Sequence, residues 1–218
     1  MDLLSSHSEP ESLAQVIERL GSIPLHRVRV NPPPGLAVEA DVLGRDNGNK
    51  RLCELADGVL VDKEPGFYKS VLGAVFVGKL EGFVYDRGLG ITLGPGAPIR
   101  LAPGLIRMPE ASFLSWQHFP GRKLPAGSIL NAAPDFVLDI LTSGNTPGEM
   151  ARKLREYLAA GVQLIWYLAP VSRSVAVHRA DGTTAVVTEG GTLEGEDVMP
   201  GFSLPLRDWF AAAGDLKD

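Results

Sequence analysis

Residues 133–161 read Ala133-Pro-Asp135-Phe-Val-Leu-Asp139-Ile-Leu-Thr-Ser-Gly-Asn-Thr146-Pro-Gly-Glu149-Met-Ala-Arg-Lys153-Leu-Arg-Glu-Tyr157-Leu-Ala-Ala-Gly161. This is an apolar strand carrying two aspartates, followed at once by a capped helix. Over 135–141 the strand period of two places Phe136, Leu138 and Ile140 on one apolar face, and Asp135, Val137, Asp139 and Leu141 on the other. Asp139 therefore falls mid-strand, where a carboxylate is disfavoured and, once buried, costs several kcal/mol unless it is paired or binds a metal. A functional site is the economical explanation. Asp135 has a second reading, since Pro134-Asp135 is also an ordinary way to begin a strand.

Thr146-Pro-Gly-Glu149 reads as a capping box with proline at the first helical position. Met150, Leu154, Tyr157 and Leu158 recur at helical spacing, and Gly161 ends the helix. Lys153 lies beside that stripe and can lean over the preceding strand; equally, it reads as a solvated lysine between Glu149 and Glu156. The run 162–168, Val-Gln-Leu-Ile-Trp-Tyr-Leu, is a buried-strand candidate. Residues 134–168 thus form a β-α-β unit, whose short loops favour a right-handed crossover within one sheet.

Outward from this unit the pattern remains α/β. Residues 10–20 carry a helical stripe through Leu13, Val16, Ile17 and Leu20, and Pro32-Pro-Pro-Gly35 reads as a stiff connector, so 1–35 is expected as an appendage to a domain spanning 36–218. A short helix is expected at 38–43, a loop at 46–50, and strands near 52–55 and 59–61 hinged at Asp57-Gly58. A helix over 68–83 should bury Val71, Leu72, Val75, Phe76 and Leu80. Residues 174–179 and 183–188 straddle Asp181-Gly182 as a hairpin, and Trp209 and Phe210 should be buried in a short terminal helix.

These residues resemble a known family. Six landmarks occur in order: Cys53-Glu54-Leu-Ala-Asp57-Gly58, Arg107-Met-Pro-Glu110-Ala-Ser-Phe, Ala133-Pro-Asp135-Phe-Val-Leu-Asp139, Glu149-Met-Ala-Arg-Lys153-Leu-Arg-Glu-Tyr157, Ile165-Trp166, and Asp197-Val-Met-Pro200-Gly201-Phe. From about Glu39 to the C-terminus the chain is similar to the Uma family of restriction endonucleases, a branch of the PD-(D/E)xK nuclease superfamily. The resemblance implies a restriction-endonuclease-like α/β core of helix, three strands, helix and strand in a mixed sheet, with an extra N-terminal helix and a C-terminal hairpin. It also implies a divalent metal, Mg²⁺ or Mn²⁺, held by Glu110 and Asp139. In the family pattern position 110 is usually Asp and position 139 usually Glu, so this chain has exchanged both. The superfamily lysine would fall at Leu141; Lys153 is the candidate replacement, with Asp135 as a secondary catalytic acid.

The chemistry fits those residue types. Phosphodiester hydrolysis needs an activated water and neutralisation of transition-state charge, and an oxygen-ligated Mg²⁺ contributes to both; a nearby lysine stabilises charge on phosphate. Asp135 and Asp139 are four strand residues apart, about 13 Å, and cannot share an ion. The second ligand must come from an adjacent strand, where 109–115 supplies Glu110; read by pattern alone, Glu110 is also an exposed edge-strand acid.

The chain has 218 residues, with 44% apolar and 22% charged, enough for one sizeable core. No signal peptide or membrane span is evident. One cysteine, Cys53, excludes an internal disulfide and a cysteine-based zinc site and suits a reducing cytoplasm. His7, His26, His118 and His178 fall in no ligand spacing. A formal charge of −5 opposes non-specific DNA binding, leaving local clusters such as Arg100, Arg107, Arg122 and Lys123, or Arg152, Lys153 and Arg155. The expected activity is a metal-dependent endonuclease acting on nucleic acid, DNA foremost. The alternative is an inactive nuclease-fold protein serving nucleic-acid or protein binding. The apolar N-terminal helix offers a homodimer contact.

Overall fold

The alternation at 136–140 sends its two faces to two different cores. The structure, a computed structural model, describes residues 12–44 and 51–214. In chain order its elements are α1 (Leu13–Arg19), α2 (Glu39–Leu43), β1 (Cys53–Ala56), β2 (Val59–Asp62), α3 (Phe67–Arg87), β3 (Gly90–Leu93), β4 (Ile99–Ala102), β5 (Leu105–Arg107), β6 (Ala111–Ser115), β7 (Phe136–Ile140), α4 (Pro147–Ala160), β8 (Leu164–Ala169), β9 (Ser174–Arg179), β10 (Thr184–Thr188), β11 (Thr192–Glu194), β12 (Ser203–Pro205) and α5 (Leu206–Ala213). The expected loop at 46–50 and the start of the N-terminal stripe at Pro10 lie outside the described residues.

A six-stranded sheet in the order β10-β9-β8-β7-β6-β3 is mixed: β7 and β8 pair in parallel around α4, and their neighbours are antiparallel. Phe136, Leu138 and Ile140 pack with Leu72, Phe76, Leu80 and Val84 of α3 and Trp209 and Phe210 of α5. The Trp209 indole N–H donates to the Leu72 carbonyl at 2.9 Å, which satisfies its one buried polar atom. Val137, on the opposite face, packs with Met150 and Tyr157 of α4 and with Ile165 and Tyr167 of β8. In α3 the buried stripe repeats every four residues through Leu72, Phe76, Leu80 and Val84, leaving Val71 and Val75 half-buried at its margin.

A second, four-stranded antiparallel sheet runs β2-β1-β5-β4. Its β1–β2 turn is Asp57-Gly58, both with positive φ, as a two-residue hairpin requires. Val16, Leu20 and Ile23 cover one face of this hairpin, against Ala56, Val59 and Val61. No helix among the described residues is long and apolar enough to cross a membrane.

The N-terminal stretch contributes buried groups to the body. Arg27 is buried and forms two hydrogen bonds with Glu149, at 2.7 and 2.8 Å. This changes the cap of α4: Thr146 Oγ1 accepts from the Glu149 amide at 3.1 Å, but the Glu149 carboxylate turns to Arg27 and Asn145. A charged hydrogen bond to a buried guanidinium outweighs one to a backbone amide, so half of the expected capping box forms.

Gly21 closes against the start of α4, with φ +92° and a backbone on which a Cβ would lie 2.3 Å from the Glu149 nitrogen. Gly21→Ala is expected to destabilise the protein by about 2–4 kcal/mol in urea unfolding. Gly35→Ala, with φ +94° and no atom within 4 Å of the added Cβ, should cost only the backbone share, about 1 kcal/mol. Equal losses would show that the α4 contact carries no stability.

Candidate functional site

The acids and lysines meet where the two sheets adjoin, at the C-terminal end of β7. Asp139 is the fourth of its five residues and only 5% exposed. Glu110, also 5% exposed, precedes β6, and the chain bends there. Its amide donates to the Leu138 carbonyl at 2.8 Å, while Leu138 is also the partner of Ala111. Two residues of one strand thus oppose one of the other, the arrangement of a β-bulge, which re-aims a side chain at a sheet edge. Both acids are buried, which excludes the exposed edge-strand reading of Glu110.

Two lysines hold Glu110. Lys63, just past β2, and Lys69, in the first turn of α3, approach Glu110 Oε1 at 2.7 and 2.8 Å, as ion pairs rather than well-aligned hydrogen bonds. Burial works against the charge of Glu110, but Lys63 and then Lys69 more than offset it and hold the carboxyl below its ordinary range. Lys69 is lowered, first by burial and next by Lys63, with Glu110 and Asp139 opposing. The same ammonium therefore feels both candidate metal ligands.

Lys153 is 3% exposed and reaches back from α4 to Glu54 of β1, its Nζ lying 2.9 Å from Oε2 and 3.0 Å from Oε1. Burial disfavours its charge, but Asp139 and then Glu54 outweigh this and raise its pKa. Tyr157, one turn further on, donates its hydroxyl to Asp139 Oδ2 at 3.0 Å. Burial, and then Asp139, push the phenol well above its ordinary value, so it stays a neutral donor. Asp139, Lys153, Lys63 and Lys69 line one small hole of about 10 Å³, room for a single water.

Glu54 is the acid that sequence reasoning passed over. It is 1% exposed and bridges Lys153 to Arg107, whose Nη1 lies 2.9 Å from Oε2; the Met108 amide also donates to it, at 3.0 Å. Despite burial, Lys153 and Arg107 hold it far below the usual carboxylate range. The signal was available, since an acid inside the apolar run 52–56 is the same anomaly as Asp139. Asp135 stands apart at the other end of β7, accepting from the Ser115 amide at 2.7 Å and contacting His118 Nε2 at 2.9 Å. The arginines named as phosphate clusters are largely committed elsewhere: Arg107 to Glu54 and Glu156, Arg152 to Asp57 and Glu156, and Arg100 to Glu39.

The family model described as "Putative restriction endonuclease", Uma2, matches residues 31–207. The chain belongs to the Uma2 family. A crystal structure of a putative nuclease belonging to DUF820, from Anabaena variabilis ATCC 29413, is similar at 18% identity. The match has a TM-score of 0.67 and covers 76% of this chain and 93% of that one. Its likeness establishes the restriction-endonuclease-like fold. No curated protein matches the chain. Among the described residues of this Uma2 chain, no three Asp, Glu, His or Cys side chains form a group able to hold a metal.

The site sets an acid limit on stability. Glu54, Glu110 and Glu149 all have carboxyl groups held below their ordinary value in the folded protein. The unfolded chain therefore binds their protons at higher pH than the native state does. Their stabilisation is complete above the unfolded values, near pH 4.5, and is lost as pH falls through the folded ones. Thermal melting followed from pH 7 to pH 3 should show a flat upper region and a steep fall below about pH 4.5. Glu54→Gln, which leaves Lys153 and Arg107 without their shared partner, should cost about 3–5 kcal/mol at neutral pH and shrink that acid-dependent fall.

Proposed function

We propose that this protein is a divalent-metal-dependent nuclease that hydrolyses nucleic-acid phosphodiester bonds, with Glu110 and Asp139 as metal ligands and Lys153 as the catalytic lysine. Restriction-endonuclease-like nucleases generally use divalent metals. The observation that carries the reading is that Asp139 of β7 and Lys153 of α4 line one buried hole together with Lys63 and Lys69, the two lysines that hold Glu110. A buried grouping of acids and lysines beside a cavity is the arrangement expected of a functional site.

The donor set fits Mg²⁺. Two carboxylates offer only hard oxygen donors, and Mg²⁺ is commonly held by one or two carboxylates, with water and substrate phosphate completing its shell. When bound, it would neutralise charge on the phosphate and make a neighbouring water more acidic. The side chains supply the rest. Tyr157 fixes one oxygen of Asp139, leaving Oδ1 for a ligand. Lys153, kept protonated by Asp139 and Glu54, acts as a fixed cation that orients a phosphate oxygen, not as a general base. Lys63 and Lys69 balance the charge of Glu110, and with a divalent cation on that carboxylate they would be available to substrate phosphate. Asp135 orders the turn at 115–118 rather than the reacting groups.

Asp139→Asn keeps the shape of the side chain and the Tyr157 contact while removing the charge. It should lower Mg²⁺-dependent cleavage at least a hundredfold, with a lower melting temperature, because Asp139 is the foremost charge stabilising buried Lys153. Asp135→Asn should leave cleavage within a few-fold of the parent. The assay is purified protein on mixed DNA and RNA with Mg²⁺, Mn²⁺ or EDTA. Cleavage unchanged in Asp139→Asn would remove it as a ligand, and no cleavage by the parent with either metal would favour a binding protein that keeps the nuclease fold.

A further inference from the structure

Phe67 is 88% exposed although it opens the longest helix of the protein. A phenylalanine left in water forgoes the stabilisation of burial, and its surroundings are unlike those of an ordinary surface residue. It lines a cleft of about 560 Å³ whose other walls include Lys63, Lys69, Arg51, Leu52 and Pro95, with Glu110 at its inner end. The volume lies within the range of small-molecule sites. Lys63 and Lys69 also line the hole that holds Asp139, so cleft and hole meet at one pair of ammonium groups.

The charges in the cleft are unbalanced. The walls carry three cations, Lys63, Lys69 and Arg51, against two carboxylates, Glu64 and Glu110; both ammonium groups lie on one Glu110 oxygen, Glu64 faces His26 at 2.7 Å, and Arg51, 4.0 Å from Asp62, stands beside half-exposed Leu52. Cations inside and a flat aromatic ring with apolar neighbours at the rim match the two halves of a nucleotide, phosphate and base. An aromatic face accepts any base, but only one that has left a duplex stack.

We propose that this cleft seats one unpaired nucleotide of a single-stranded polynucleotide, with its base stacked on Phe67 and its phosphate against Lys63 and Lys69. The proposal rests on the nuclease reading in one respect, since that reading makes Glu110 the neighbour of the scissile phosphate. It adds the substrate class: single strands, or duplex ends that fray, ahead of intact duplex.

The test uses the whole chain in EDTA, so that binding is read without cleavage. Fluorescently labelled oligo(dT), oligo(rU) and a blunt DNA duplex are titrated into the parent, Phe67→Ala, Phe67→Trp and Tyr85→Ala. Tyr85 is the control, an aromatic residue 79% exposed on the same helix and about 27 Å further along it. Phe67→Ala should weaken binding of a single strand roughly tenfold, Phe67→Trp should restore it, and Tyr85→Ala should match the parent. Loss with both oligonucleotides supports a seat for either sugar, and loss with one alone supports it for that sugar. Parent-like affinity in Phe67→Ala would overturn the proposal, as would an equal loss in Tyr85→Ala or an equal loss on duplex. The two readings fail separately: a chain that cleaves nothing yet binds oligo(dT) through Phe67 loses the nuclease and keeps the seat, whereas cleavage with Phe67-independent binding does the reverse.

Discussion

The Glu54 carboxylate, buried between Lys153 and Arg107, is the interaction on which the rest of the site depends. It belongs to the small sheet, Lys153 belongs to the helix that covers the large one, and Arg107 ends β5 and continues to Glu156 on the same helix. A charged group this deep is tolerated only when its partners are complete. Here two cations and one backbone amide complete it. That requirement sets the position of α4 over β7 to within hydrogen-bonding distance, and with it the places of Lys153 and Tyr157 relative to Asp139.

The network does not end there. Arg152 joins Glu156 to Asp57 in the hairpin turn, and Arg27 joins the start of α4 to the N-terminal stretch. Each of these links ties α4 to the small sheet or to the segment packed on it. A surface ion pair contributes little, but a connected and partly buried set is geometrically exacting. The small sheet therefore acts as a platform that holds α4 in register, while the large sheet supplies the strand ends from which the acids emerge.

How much of this was legible in the sequence differs by residue. The strand-helix-strand unit was, because its signals are local: alternation at 136–140, a proline and a threonine opening α4, and a glycine closing it. Asp139 was legible because an acid mid-strand contradicts its neighbourhood, and Glu110 and Lys153 because they occupy landmarks of a resembled family. Glu54 carried the same contradiction as Asp139 but was outweighed by the adjacent Asp57-Gly58 turn. Lys63 and Lys69 had no local signal, since a lysine after a strand or in a first helical turn is commonplace. Only the tertiary fold brings β2 and α3 against the bulge before β6. Arg27 was hidden for the same reason, and it is what makes the expected appendage part of the body.

The exchanged acids can now be considered as geometry. In the resembled pattern the shorter carboxylate stands at position 110 and the longer at 139; here the longer side chain is on the bulge and the shorter on β7. The combined reach is unchanged, so a common ligand would move by about one carbon–carbon bond toward the backbone of β7. Asp139 there meets the Tyr157 hydroxyl at 3.0 Å, and Lys153 of the same helix is held by Glu54. On the proposed nuclease reading, the lysine borne by α4 and the shortened acid on β7 would serve the same ligand. A cation anchored on the covering helix would then favour a charge centre drawn toward that strand, and the bulge at Glu110 would let the longer carboxylate follow it.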